Sequence, residues 1–357
     1  MARLGDYVNI KTGKLDANAS SENGQYPFFT CAVEPLKIDS YSYDCECVLV
    51  AGNGDLNVKY YNGKFDAYQR TYIIESKSKD VLSVPYLYCF LDKYVEELRK
   101  QSIGGVIKYI KLGNLTEAQI PICSIAEQNE IVENLNKVNT LISLRKQQLS
   151  KLDELVKSRF IEMFGNGKYP VCRLGDVCSK ITDGTHKTPN YLDAGVTFIS
   201  AKNIVNGELD FSDVKYISEQ EYAEIQKRCQ TEAGDILLSK SGSLGAPVIV
   251  KTTERIGLFE SLAVIKYDRN KLLPAFLCEQ LKSDKIQRQF KVGTKGVAIK
   301  HLHLGVIADT DIVVPTIEEQ NAFSNFVEQI DKSKLAIQKS LDQLEILKKA
   351  LMPKYFG

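Results

Sequence analysis

Two halves of this chain share short identical blocks in the same order, and this duplication constrains the fold more than any other feature. Arg3-Leu4-Gly5-Asp6 returns at residues 173–176, Glu127-Gln128-Asn129 returns at 319–321, and Phe164-Gly165 returns at 356–357. Blocks repeated about 170 to 192 residues apart indicate two copies of one folding unit, and 357 residues suffice to bury two cores. The sequence therefore predicts two related domains with two sites of one kind.

The first part of each copy has the pattern of an irregular, strand-rich α/β domain. Short apolar runs between turn residues predict strands, and segments that begin with proline, where a missing N–H costs least, predict one helix in each copy. The predicted strands include residues 47–50, 71–74, 235–238 and 262–265, and the predicted helices are residues 85–100 and 274–290.

A capping box then starts a long helix in each copy. Ser124 with Glu127, and Thr316 with Glu319, have the hydroxyl and carboxylate spacing that satisfies the first backbone N–H groups of a helix. Apolar residues recur after each box at steps of three and four, which is the seam of a coiled coil. The seams are Ile131, Leu135, Val138, Ile142, Leu149, Leu152 and Leu155 or Val156, and then Phe323, Val327, Ile330, Ile337, Leu341, Leu344, Leu347 and Leu351.

These two helices predict an internal antiparallel pair. Each would be roughly 50 to 55 Å long at 1.5 Å per residue, and the duplication favours pairing about a pseudo-two-fold axis. The alternatives are that each helix packs on its own domain or on another protein. A paired spacer would hold two modules apart, and duplex DNA is a partner whose half-sites recur every 34 to 36 Å.

Composition excludes some classes of protein. No apolar run approaches the roughly 18 residues of a membrane-spanning helix, and the first residues lack a secretory signal, so we expect a cytoplasmic protein with reduced thiols. The nine cysteines are too scattered for a zinc site. The net charge of +1 does not decide for or against nucleic acid, although lysines and an arginine cluster between residues 282 and 303.

Motifs for enzymatic chemistry are missing from the sequence. There is no Pro-Pro step for an adenine methyltransferase tetrapeptide, no Gly-x-Gly-x-x-Gly after a strand and no Walker loop. Asp66 with Glu75 and Lys77 loosely imitates a nuclease motif, but the second copy has no counterpart. The residues therefore disfavour methyltransferase, dinucleotide-binding, phosphate-loop and nuclease chemistry.

Three blocks of the second copy resemble the target recognition domain of type I restriction-modification specificity subunits. They lie at residues 182–189, 198–204 and 234–242, and the helix endings at 157–165 and 353–357 resemble the same family. The resemblance spans essentially the whole chain. It implies an α+β fold in which two recognition domains, residues 1–123 and 166–315, alternate with two conserved helical regions, residues 124–165 and 316–357.

The first copy departs from these blocks, with residues 11–14, 51–55 and 63–70 in their place. It resembles recognition domains of another sequence class, which implies two different half-sites and an asymmetric target. The family resemblance further implies a non-catalytic subunit that binds double-stranded DNA. It implies docking of two adenine methyltransferase subunits on the paired helices and, through them, restriction and motor subunits. S-adenosylmethionine, ATP and Mg²⁺ would belong to those partners, and this chain would hold no cofactor or metal.

Residues that contact DNA are expected on polar loops beside glycines, where side chains reach base edges and lysines reach phosphates. For each of them, satisfying backbone groups within a turn is the alternative role. The candidates in the first copy are Lys14, Asn53, Asn57, Lys59, Gln69, Arg70 and Lys108. The candidates in the second copy are Thr182, Asp183, Thr185, His186, Lys187, Thr188, Lys202, Asn203, Lys240, Ser241, Lys295 and Lys300.

A second hypothesis comes from another functional class. A non-catalytic scaffold, in which a coiled coil joins two protein-binding domains, is also compatible with near-neutral charge. Sequence-dependent binding of DNA distinguishes the two hypotheses, because only the specificity subunit requires it.

Overall fold

The computed structural model describes residues 1–294 and 301–357, which divide into two compact units. The first unit comprises residues 1–147 with 338–357, and the second comprises residues 148–337. Both boundaries fall inside long helices, so each unit contains half of each helix. The four-part division inferred from the sequence therefore stays a prediction. No helix among the described residues is both long and apolar enough to cross a membrane.

The first unit is built on a mixed sheet with one face covered by a helix. Its elements are β1 (Ala2–Arg3), β2 (Val8–Thr12), β3 (Tyr26–Phe29), β4 (Leu36–Ile38), β5 (Tyr43–Ala51), β6 (Val58–Ala67), β7 (Thr71–Ser76), β8 (Gln119–Ile120), α1 (Val84–Gln101), α2 (Leu112–Thr116) and the first half of α3 (Ile125–Phe164). The main sheet has the order β2-β7-β5-β6-β3-β4, and β1 pairs with β8. Val48, Val50 and Ile74 of this sheet pack against Leu87 and Leu91 of α1 in one buried cluster. The predicted strands at 47–50 and 71–74 and the helix at 85–100 are confirmed.

The second unit divides its strands between smaller sheets. Its elements are β9 (Val171–Arg173), β10 (Cys178–Asp183), β11 (Val196–Ile199), β12 (Ile204–Val205), β13 (Glu208–Leu209), β14 (Lys215–Ile217), β15 (Ile236–Ser239), β16 (Pro247–Ile249), β17 (Ile256–Leu258), β18 (Leu262–Tyr267), β19 (Asp311–Val313), α4 (Glu219–Arg228), α5 (Pro274–Lys282), α6 (Asp284–Gly293), α7 (Leu304–Ala308) and the first half of α8 (Ile317–Phe356). The described sheets are β10-β18-β15-β16, β14-β11-β17, β12-β13 and β19-β9.

The prediction of one continuous helix at residues 274–290 is wrong, because this segment forms two helices. Ser283 has extended backbone angles (φ −61°, ψ 146°) and separates α5 from α6. The break lets both short helices bury an apolar face, with Phe276 and Leu281 before it and Ile286 and Phe290 after it in one cluster. The predicted strands at 235–238 and 262–265 correspond to β15 and β18.

The repeated Arg-Leu-Gly-Asp block joins the start of each copy to the strand that precedes its long helix. Leu4 donates its backbone N–H to Ala118 (2.8 Å), and Leu174 donates to Thr310 at the same distance. Arg3 forms an ion pair with Glu117 in one copy (2.6 Å), and Arg173 pairs with Asp309 in the other (2.8 Å). Both leucines are fully buried. The block therefore has a structural role, linking two segments of one unit, and is not part of a binding site.

The repeated Glu-Gln-Asn block fixes the first turn of each long helix. Both capping boxes form: Glu127 N–H donates to the Ser124 hydroxyl, and Glu319 N–H donates to that of Thr316, each at 3.3 Å. The next residue is a fully buried glutamine in both helices.

Each buried glutamine makes two hydrogen bonds to the start of an earlier helix, α1 or α5, and a third to the segment just before its own helix. Gln128 Oε1 accepts from Ser83 N–H (2.9 Å), while its amide donates to the carbonyls of Val81 (2.8 Å) and Cys123 (2.9 Å). Gln320 repeats this pattern with partners Leu273, Lys271 and Pro315 at 2.9, 2.8 and 2.9 Å. A buried amide with every group paired is stabilising, whereas its loss would leave backbone groups unpaired.

The two long helices pack against each other within each unit, which confirms the predicted internal pair. In the first unit Lys146 of α3 contacts Glu345 of α8 (3.0 Å), and in the second Asp153 contacts Lys334 (2.7 Å). From the first contact to the second, the residue number rises along α3 and falls along α8, so the helices are antiparallel. Val156, not Leu155, belongs to the buried seam. Leu347 was wrongly assigned to the seam, because its side chain is 45% exposed.

The repeated phenylalanine near the end of each helix anchors it in a core. The Phe164 ring lies 4.8 Å from that of Phe276 on α5, within the second unit. The Phe356 ring lies 5.2 Å from Tyr86 and 6.0 Å from Phe90 on α1, within the first unit. Each unit therefore holds the start of one long helix by a glutamine and the end of the other by a phenylalanine.

We expect Gln128→Ala to lower the free energy of unfolding of the first unit by about 3 kcal/mol, because it leaves buried backbone groups unpaired. Asn129→Ala, at the exposed neighbouring position, should change it by less than about 0.5 kcal/mol. Hydrogen exchange should show lost protection at the start of α1 and unchanged protection at the start of α5. Equal losses in both units would contradict this local role.

Candidate nucleic-acid interface

In the first unit, the turn at residues 68–70 gathers the loops that carry predicted DNA contacts. This turn directly precedes β7. Gln69 N–H donates to the carbonyl of Leu15 (2.9 Å), and the carbonyl of Arg70 accepts from Gly52 N–H (2.8 Å). The loops that bear Lys14 and Asn53 are thereby joined to Gln69 and Arg70 at one end of the sheet.

In the second unit, the turn at residues 259–261 directly precedes β18 and makes the same backbone bonds. Glu260 N–H donates to the carbonyl of Thr185 (3.0 Å), and the carbonyl of Ser261 accepts from Lys240 N–H (2.8 Å). A third backbone hydrogen bond is also equivalent in the two units. Leu302 N–H donates to the carbonyl of Lys240 (2.9 Å), and Ile110 N–H donates to the carbonyl of Gly52 (2.9 Å). The two copies therefore share one loop scaffold although their loop sequences differ.

This shared hydrogen bonding defines equivalent positions with different side chains. Gln69 corresponds to Glu260, and Arg70 corresponds to Ser261. Gly52, which has no side chain, corresponds to Lys240. The two copies therefore present different donors and acceptors on a common backbone.

Lys240 and Asp183, which were predicted to contact DNA, are buried. They are 3% and 2% exposed, and the ammonium of Lys240 pairs with the carboxylate of Asp183. Arg228, which is exposed, binds the other carboxylate oxygen. Burial raises the pKa of Asp183, but the hydrogen bond and charge of Lys240, with Arg228, lower it more, so its net pKa lies below the usual value.

Asn203 is also a structural residue, being 3% exposed. Its amide donates to the carbonyls of Asp210 (3.1 Å) and Asp213 (3.0 Å), and its Oδ1 accepts from Ser200 N–H (3.0 Å). Lys202 beside it is exposed and pairs with Asp213 at 3.0 Å. Burial therefore gives Asn203 the alternative role of closing a turn, while Lys202 stays at the surface.

The loop after β10 keeps most of its predicted contact residues accessible. His186, Lys187 and Thr188 are exposed, and Thr185 is half-buried, whereas Thr182 lies within the strand and is 7% exposed. His186 lies 3.3 Å from Asp183 and 3.6 Å from Glu260. Ser241 is half-buried next to Lys240. The exposed members form a polar edge above the buried ion pair.

In the first unit the exposed candidates are Lys14, Gln69, Arg70 and Lys108, while Asn53, Asn57 and Lys59 are half-buried. Asn57 donates to the carbonyl of Cys31 (2.8 Å), and Lys59 binds the Asn57 side chain. Burial lowers the pKa of Lys59. Asn57 and Lys59 thus stiffen the loop that presents Asn53.

Several residues of this interface carried no sequence signal. Glu260 and Ser261 belong to no recognised block, and Arg228 lies at the end of α4. His301, 3.5 Å from Glu260, belongs to none of the resembling blocks. Lys295 and Lys300 lie outside the described residues, so their predicted phosphate contacts stay predictions.

Comparison with known proteins places these two units in a family. A family model described as "Type I restriction modification DNA specificity domain" matches residues 1–154 and 166–346. The Type I restriction enzyme EcoDI specificity subunit of Escherichia coli is 38% identical over 154 residues, which cover 43% of this chain and 34% of that protein. The MjaVIII specificity subunit of Methanocaldococcus jannaschii is 21% identical over 99% of this chain and 90% of its own length.

Solved structures show the same fold at low sequence identity. The crystal structure of a type I restriction-modification S subunit from M. genitalium superposes with a TM-score of 0.59 at 18% identity, covering 100% of this chain and 95% of that one. A chain from a structural study of complex assembly and conformational transition in the type I system gives 0.58 at 16% identity, covering 99% and 96%. Because the family model covers both copies of the repeat, the chain belongs to the type I restriction-modification DNA specificity family.

Proposed function

We propose that this chain is the specificity subunit of a type I restriction-modification enzyme and that each unit recognises one half of a bipartite, asymmetric DNA target. The observation that carries this proposal is the shared loop scaffold with different side chains at equivalent positions. Gln69 and Arg70 in one copy correspond in position to Glu260 and Ser261 in the other, so the two half-sites should differ in sequence. Phosphate contacts would come from exposed lysines such as Lys14 and Lys187.

The paired helices are proposed to set the spacer between half-sites and to dock two adenine methyltransferase subunits, which in turn bind restriction and motor subunits. Part of the surface of both helices is apolar and not used by their own pairing. Leu141 and Leu144 of α3 are 44% and 49% exposed, and Ile346 of α8 is 68% exposed. Exposed apolar patches of this kind are typical of protein-binding faces. In this proposal the chain has no catalytic activity, and S-adenosylmethionine, ATP and Mg²⁺ are bound by the partners.

Co-expression with a type I adenine methyltransferase subunit from the same organism tests the proposal. We expect the purified complex to shift some duplexes from a pool of fragmented host DNA in a sequence-dependent way. The bound fragments should share two short, different motifs at a fixed spacing. A complex that assembles but binds all duplexes alike would support the scaffold hypothesis instead.

Exchanging the side chains at the equivalent position should alter one half-site at a time. Glutamine suits adenine and glutamate accepts from cytosine, so we expect Glu260→Gln to change the base preference of the second half-site by about 1 to 3 kcal/mol. The matched variant Gln69→Glu should affect the first half-site alone. Selection from a randomised duplex pool measures both. A loss of affinity without a change of preference at either site would contradict this assignment.

The buried ion pair should stabilise the second unit without contacting DNA. Lys240→Met removes one partner of a buried pair, and we expect a loss of about 3 kcal/mol in its free energy of unfolding. The double variant Lys240→Met with Asp183→Asn should lose less than the sum of the single losses, because the two side chains interact.

The same pair predicts a pH dependence. The folded-state pKa of Asp183 is below its usual value, so its contribution is complete above about pH 4, the unfolded value. That contribution is lost as the pH falls through the depressed folded-state pKa. Chemical denaturation should therefore show a difference between the parent and Asp183→Asn that is constant near neutrality and shrinks in acid. A difference that grows in acid would contradict this sign.

A further inference from the structure

A loop in the first unit exposes apolar side chains at its end. We call residues 104–108 the tip. Val106 is fully exposed (104%) and Ile107 is 62% exposed, while Ile103 and Tyr109 at its base are 44% and 37% exposed. Single exposed apolar residues are ordinary, but several within seven positions form a patch that favours an external partner.

The shape of the tip is specified by glycine. Gly104 has φ +118°, and a Cβ there would lie 2.5 Å from the carbonyl oxygen of Ile107. Gly105 has open space around it. Only glycine fits the first position without strain, so the sequence itself encodes a narrow projection with Val106 at its end.

The base of the tip is held firmly against the candidate interface. Ile103 and Tyr109 exchange two backbone hydrogen bonds, at 3.0 and 2.9 Å. Gly54 N–H donates to the carbonyl of Lys108 (2.9 Å), and an antiparallel bridge joins Asn53 to Tyr109. The tip therefore projects from the loop that presents Asn53, with the exposed cation of Lys108 next to its apolar residues.

The second copy repeats this sequence. Gly105-Val106 returns as Gly296-Val297, and Ile107-Lys108 returns as Ile299-Lys300. Residues 295–300 lie outside the described part of the chain, so only their sequence is compared. The segment that follows is described, and Leu302 is bonded to the loop scaffold in the same way as Ile110. Gly105, the two apolar positions and the lysine are thus kept in sequence, but Lys295 stands in the place of Gly104 and Ala298 is an added residue.

We propose that the tip enters a groove of duplex DNA, where Val106 and Ile107 contact sugars and base edges and Lys108 binds an adjacent phosphate. This inference rests on the proposed function. Proteins that insert apolar side chains into a DNA groove combine them with flanking cations, as this tip does. Its attachment to the Asn53 loop favours DNA over a protein partner. In this proposal the contact adds affinity at the half-site that the first unit binds.

Photo-crosslinking tests the position of the tip. A benzophenone amino acid replaces Val106 in the full chain, which is assembled with its methyltransferase and mixed with labelled fragments of host duplex DNA. The control places the same group at Val81, which is 41% exposed and lies beside the buried Gln128. We expect label on DNA from position 106 and none from position 81.

The outcomes separate this inference from the proposed function. Crosslinking of position 106 to the methyltransferase, or to nothing while the complex binds DNA, would overturn the groove contact alone. If the parent complex binds no duplex in the pool, the proposed function fails and this inference fails with it.

Affinity measurements distinguish apolar from ionic contributions at the tip. The double variant Val106→Ser with Ile107→Ser should bind the selected duplex about tenfold more weakly, with an unchanged dependence on salt, because no charge is removed. Lys108→Ala should instead reduce the slope of log affinity against log salt by about one. Parental affinity in the serine variant would refute the proposal. Since these side chains are exposed, unfolding is not expected to explain a loss.

Discussion

The structure depends on the hydrogen bonds of one buried glutamine at the start of each long helix. Gln128 and Gln320 each pair with three backbone groups of the domain that precedes them, so the direction in which the helix leaves that domain is fixed. The capping box beside each glutamine satisfies the first turn, and the phenylalanine that ends the other helix completes each core. A helix joined this way by both ends cannot rotate freely about its axis, because buried polar groups would lose their partners.

In the candidate interface, backbone atoms hold the loops while side chains vary, so two sites can differ on one fold. The turns at 68–70 and 259–261 are held by matching backbone hydrogen bonds, which any residue can make. Side chains at these positions are then free to vary without cost to the scaffold. The second copy uses this freedom to place a buried ion pair, Asp183 with Lys240, where the first copy has Gly52 at the position of the lysine. Stability and recognition therefore reside in different atoms of the same loops.

Much of the architecture was predictable because its causes are local and periodic. The duplication, both capping boxes, the paired helices and the strands that carry the loops follow from spacing and pattern, and the structure confirms them. The predictions fail where two elements compete for one residue. Ser283 interrupts the predicted helix because α5 and α6 each bury an apolar face. Leu347 is exposed although its spacing fits the seam, because apolar spacing locates a buried position only to within one residue.

For the candidate interface, the sequence by itself predicted loops in which polar residues lie beside glycines, and the tertiary structure decided which of those residues face outward. Glycines beside polar residues predicted these loops, because turns and close approach have local signatures. Whether Lys240 and Asn203 are surface donors or buried supports depends on partners 57 and 7 to 10 positions away, and no local pattern encodes those pairings. The importance of Glu260 likewise arises only when β18 brings its turn beside loops from distant parts of the chain. Sequence spacing specifies elements, whereas burial is a property of their packing.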